Sequence, residues 1–112
     1  FVEPTSIFLH RDFIDFRKAI NGLTALVEDE LNRDAYTGDL FVFCNKSKDK
    51  LKILYWDKTG FALWQKRLEK QKFKWPSKIN EAEFVLTAEQ LEWLLSGYDV
   101  LGHQTLHYQS ML

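Results

Sequence analysis

The sequence predicts an α+β domain, in which a mostly antiparallel sheet of meanders and hairpins packs on a long amphipathic helix, with a short C-terminal helix. Three observations carry this. Apolar residues at Phe16, Ile20, Leu23 and Val27, with Ala19, Leu26 and Leu31 beside them, follow helical spacing between Phe13 and Leu31. The segments LFVFCN and LKILYWD are rich in β-favouring residues and are separated only by the polar KSKDK. Thr87 and Gln90 form a T-x-x-Q capping box ahead of an apolar run that stops at Gly97.

In chain order, SIFLH between Pro4 and Asp12 reads as a first short strand. The long helix follows, with Asp12 as its expected N-cap and Asp15 in its first turn, where a carboxylate suits the positive end of the helix dipole. The loop NRDAYTGD leads to LFVFCN and LKILYWD, an expected antiparallel hairpin, and DKTG makes a second turn. The stretch FALWQKRLEKQKFKWP then alternates as a strand, a turn near Glu69 to Gln71 and a further strand that Pro76 blunts. A helix over Phe61 to Gln71 is the alternative reading, because Phe61, Trp64 and Leu68 also fit its period. EFVLT reads as a short strand and TAEQLEWLLSG as the compact last helix, whereas the tail from Tyr98 to Leu112 has no clear signal. The 112 residues form one expected domain, long enough to bury a core without staples.

Composition narrows the function classes. No apolar run approaches the about 20 residues needed to cross a bilayer, and the N-terminal FVEPTSIFLHRDF lacks the pattern of a signal peptide, so a cytoplasmic location and no membrane partner are expected. Cys44 is the single cysteine and lies in an apolar strand, which excludes an intrachain disulfide and suits a buried small side chain. No G-x-S-x-G, no phosphate-cradling glycine loop and no poised carboxylate pair is present. His103 and His107 are four apart but lack a third ligand with a placed partner, and His10 reads as a strand-end residue. The expectation is a chain with no enzyme activity, no metal and no cofactor.

Charge is distributed unevenly. The formal net charge is only −1, yet residues 45–78 hold eleven of the fifteen Lys/Arg against Asp49, Asp57 and Glu69. The last third, 79–112, has none against five acidic residues. A local excess of this size attracts phosphate or an acidic partner even on a near-neutral molecule. Within it, Lys66, Arg67, Lys70, Lys72 and Lys74 are interleaved with rings. Phe41, Phe43, Tyr55, Phe61 and Trp64 are assigned to packing, which leaves the cations as the functional signal and Trp75 as the expected exposed ring. Lys66 and Arg67 are the expected centre of this surface, and Arg17 and Lys18 extend it.

The order of several motifs adds a further reading. DFRKAINGL (Asp15 to Leu23), GDLFVF (Gly38 to Phe43), LKILYWD (Leu51 to Asp57), Gly60, KRLE (Lys66 to Glu69), FKWP (Phe73 to Pro76) and LTAEQLEWLLSG resemble the TnpB accessory protein of the IS66 group of bacterial insertion sequences. The resemblance runs from about Ile7 to Asp99. It implies a non-catalytic protein acting in DNA transposition beside a separate DDE transposase, TnpC, with DNA, TnpC and other element-encoded proteins as partners. It supplies no established site residues. A DNA-binding surface centred on Lys66 and Arg67 is the leading expectation; an adaptor that binds the transposase without touching DNA, anchored by Trp75 or Trp93, is the alternative.

Overall fold

The computed structural model describes residues 6–100. Five strands, β1 (Ile7–His10), β2 (Leu40–Cys44), β3 (Lys50–Asp57), β4 (Gly60–Arg67) and β5 (Glu83–Leu86), form one sheet in the order β4-β3-β2-β1-β5. Two helices accompany them, α1 (Ile20–Asp29) and α2 (Ala88–Leu95). The pairs β2/β3, β3/β4 and β1/β5 are antiparallel, and β1 and β2 are parallel. That parallel pair is a consequence of α1, because a strand, a crossover helix and a neighbouring strand return the chain in the same direction.

The sheet is covered on both faces. Phe8, Phe41, Phe43 and Leu54 pack with Leu23 and Val27 of α1 and with Ile14, Leu31 and Ala35. Ile7, Leu9, Leu40, Val42, Leu51 and Ile53 pack with Leu91 and Leu94 of α2 and with Phe73 and Trp75. Double coverage explains why LFVFC is buried at every position, since a strand between two layers has no polar side.

The expected long helix is shorter at its start. Its ten residues begin at Ile20, with Ala19 rather than Asp12 at the N-cap position and no side-chain cap. The preceding residues have other partners for their backbone groups. Ile14 N–H donates to the Cys44 carbonyl, extending the β1/β2 ladder through a parallel bridge between Ile14 and Asn45. The Asp15 carboxylate accepts from the Arg17 N–H at 2.9 Å, and the Asp15 carbonyl accepts from Lys18 N–H, so a local turn competes successfully with the helix. Lys52, buried on β3, donates its ammonium to the carbonyls of Phe16 and Lys18 at 2.9 and 2.8 Å. Phe16 therefore reaches the same core as α1 without being helical.

Residues 61–67 are strand and not helix, paired with β3 in regular register. A second strand after the turn at 69–71 does not form. The chain from Leu68 to Ser77 instead crosses the α2 face of the sheet as an irregular strap, tied to the β2–β3 turn by Leu68 N–H to Asp49 O and Phe73 N–H to Lys48 O, at 2.8 and 2.7 Å. Phe73 and Trp75, two residues apart, both point inward. The expectation that Trp75 is exposed is thus corrected: it is 7% exposed, and its indole Nε1–H donates to the carbonyls of His10 and Arg11 at 3.2 and 3.0 Å. Among the rings assigned to packing, Phe41 and Phe43 are fully buried, Tyr55 and Phe61 half-buried, and Trp64 is 38% exposed on an edge strand.

The capping box of α2 is present in both directions, Gln90 N–H to Thr87 Oγ1 and Thr87 N–H to Gln90 Oε1. Gly97, at φ 91°, ends that helix in the left-handed region. The tail beyond Val100, with His103 and His107, lies outside the described residues.

Because the Trp75 indole satisfies two carbonyls at the end of β1, Trp75→Phe should cost about 1–3 kcal/mol despite keeping most of the ring. Urea denaturation followed by fluorescence of the remaining tryptophans checks this, and a change below about 0.5 kcal/mol would contradict it.

Candidate nucleic-acid interface

The basic residues of the central block are brought together by the sheet and the strap. Register places Lys50 beside Arg67 at one end of β3/β4. The β2–β3 turn at that end carries Lys46 and Lys48, and the strap is bonded to the backbone of this turn at Lys48 and Asp49. With Phe73 and Trp75 inward, Lys72 and Lys74 are exposed, and so is Lys70. Lys72 and Lys74 alternate with the inward rings, and Lys70 precedes them at the bend that starts the strap, so the three follow one another along its outer side. A shallow cavity of about 350 Å³ between strap and turn is lined by Lys48, Trp75, Pro76, Ser77, Lys78, Ile79 and Asp99.

Local electrostatics records the proximity. Asp49 is held below the usual carboxylate range first by the Asn45 amide hydrogen bond, with Lys72 and Lys50 contributing. Arg67 pairs with Glu69 at 2.8 Å, and both are exposed. Among the described residues, Lys46, Lys48, Lys50, Lys70, Lys72, Lys74 and Lys78 have no ion-pair partner.

Two cations of the block serve the fold. Burial lowers the pKa of Lys52, with Lys50 adding to the effect, and its ammonium holds the loop before α1. Lys66, expected at the centre of the surface, sits on the α2 face and donates to the Leu95 carbonyl at 2.9 Å. No basic residue occupies the last turn of α2, so Lys66 supplies from β4 the cation that suits the negative end of that helix. Arg67, its chain neighbour, points to the other face.

Arg17 and Lys18 lie before α1, on the α1 side of the same sheet end, because the Lys52 ammonium ties their loop to β3. Arg17 is paired with Asp15, whose carboxyl it lowers to about 2 through that hydrogen bond. Trp75 is interior, so it presents no ring to a partner, and Trp93 is half-buried against the same core. The turn lysines 46, 48 and 50 were visible as the alternation in KSKDK, but only the strap's position joins them to 70, 72 and 74.

The remaining chemistry-bearing groups have structural surroundings. Burial pushes the Cys44 thiol up to about 12. His10 is buried, with Nδ1 2.8 Å from the Asp12 carbonyl and Nε2 3.0 Å from Glu30. No group of three or more His, Cys, Asp or Glu that could hold a metal occurs among the described residues. Nor is any helix among them long and apolar enough to cross a membrane.

The chain matches the family described as IS66 Orf2-like protein over residues 5–105. It is 41% identical to "Uncharacterized protein y4jC" of Sinorhizobium fredii over 86 residues, covering 77% of this chain and 73% of that protein. It is 36% identical to "Uncharacterized protein y4hO" of the same organism over 85 residues, covering 76% and 73%. No solved structure matches.

The division between structural and surface lysines is testable by stability alone. Lys66→Ala should destabilise by about 1–2 kcal/mol through the lost bond to Leu95, whereas Lys72→Ala should stay within about 0.5 kcal/mol. Equal effects in thermal or urea unfolding would contradict the assignment. Cys44 should resist a thiol reagent at pH 8 in the folded state and react on unfolding, since only the thiolate attacks.

Proposed function

We propose that this chain, which belongs to the IS66 Orf2-like family, uses the cationic sheet end to hold the phosphate backbone of DNA. Family membership suggests an accessory role in transposition of an insertion sequence. The direct contact with DNA is the further step, and the observation that carries it is the gathering of Lys46, Lys48 and Lys50 with Lys70, Lys72 and Lys74 around one turn, where among the described residues none of the six is in an ion pair and Asp49, which feels Lys72 and Lys50, is the turn's single carboxylate. Arg67, Lys78, Arg17 and Lys18 border this surface. Lysine charge on a turn and an irregular strap supports backbone contact; neither helix carries a basic face with which to read base edges in a groove. Binding of this kind is tolerant of sequence and sensitive to salt.

The same surface suits an acidic patch on the element's transposase, so the experiment separates the two. A labelled duplex titrated by fluorescence anisotropy should bind at low salt, with log affinity falling against log salt at a slope near −5 for about six neutralised phosphates. Replacing Lys48, Lys72 and Lys74 together by Ala should weaken binding at least tenfold and flatten the slope by about 3. Absence of binding at low salt, or equal binding by the triple variant, would overturn the DNA reading. Association with the transposase that survives nuclease and is lost in the triple variant would assign the surface to protein contact.

A further inference from the structure

Among the described residues β4 is an edge strand, and the two edges of the sheet differ. The β5 edge is four residues long and carries Glu83, bridged to Arg33, features that discourage pairing with another chain. The β4 edge is eight residues long, contains no proline and keeps regular register with β3 from Gly60 to Arg67. Its one lysine would guard it, but the Lys66 ammonium is drawn to the Leu95 carbonyl. Trp64, in its middle, is among the exposed large apolar side chains.

Backbone direction along this edge follows from the hairpin. Asp57 and Gly60 close a two-residue turn and are therefore a hydrogen-bonded pair, so alternate residues from Gly60 to Lys66 turn their N–H and C=O groups toward β3. The Leu68 N–H bond to Asp49 O continues the same alternation. Phe61, Leu63, Gln65 and Arg67 then direct their backbone groups outward from the sheet.

We infer that β4 is a dimer interface, pairing antiparallel with β4 of a second copy of this chain about a two-fold axis at Trp64. A two-fold normal to the sheet keeps each face on its own side, and outward residues must pair with outward residues. Centred on Trp64, this sets Leu63 opposite Gln65 of the second copy and Phe61 opposite its Arg67. Trp64 faces its own copy in a pair without backbone bonds, the close type of cross-strand pair. Each Arg67 comes to the ring cluster of Phe61, Trp56 and Tyr36 on the other copy, whose centroids are 4.9 to 5.1 Å apart. These matches are what select a second copy as the occupant, since an isologous contact must be complementary to itself. The inference does not rest on DNA binding, although the pairing sets the β3–β4 turn of the second copy beside Arg67, at the border of the cationic surface.

Sedimentation velocity of the full chain over a concentration series should show a monomer–dimer equilibrium. Gln65→Pro removes an outward N–H from an exposed position and leaves the β3 ladder intact. It should raise the dimer dissociation constant at least tenfold with an unchanged circular dichroism spectrum. Trp64→Cys should form an interchain disulfide on mild oxidation, since Cys44 is buried. A chain that is monomeric at every concentration, or a dimer unaffected by Gln65→Pro and not cross-linked through Trp64→Cys, would overturn the inference.

Discussion

The docking of Phe73 and Trp75 onto the second face of the sheet is the constraint on which the other features depend. Helix α2 has eight residues and is about 12 Å long, too short to cover a face to which four strands contribute buried residues. The strap completes the cover. With the rings at 73 and 75 buried, the intervening lysines 72 and 74 are turned to solvent. The Trp75 indole fixes the strap's end to the carbonyls of His10 and Arg11, where β1 leaves the sheet. The cationic row is thus the outer side of a piece of core, and its position is as well determined as the core itself.

A second consequence is a division of labour among lysines. Lys52 and Lys66 occupy sheet faces, one toward α1 and one toward α2, and each ends on backbone carbonyls that lack helical partners. Both tie a helix-adjacent segment to the sheet. Those at the β2–β3 turn and on the strap meet no such acceptors among the described residues, so their charge is available to an outside partner. The near-zero net charge conceals this surface because the acidic residues lie largely in the first and last thirds of the chain.

The α+β class, the β2–β3 hairpin, the strand at 61–67 and the capped last helix were legible because each rests on a local signal: alternation, a polar turn or a T-x-x-Q box. The start of α1 was not. Phe16 and Ile20 share helical spacing, but a turn at Asp15 and the ammonium of Lys52 claim the backbone groups that a longer helix would need. The fate of FKWP was also hidden, since alternation describes a strap over a sheet as well as a strand within one. Trp75 went from expected surface to core for that reason. The cluster of 66, 67, 70, 72 and 74 was visible as charge, but the sequence could not separate Lys66, which meets a helix end, from Lys72, which meets water.

The central claim, that one end of the sheet is the contact surface, is tested most directly by amide chemical-shift mapping of the labelled chain on addition of duplex DNA at low salt. The account predicts perturbations concentrated in residues 46–50 and 67–75 that fade as salt is raised, with β5 unaffected. Shifts centred on β5 or α2, or none at all, would contradict it.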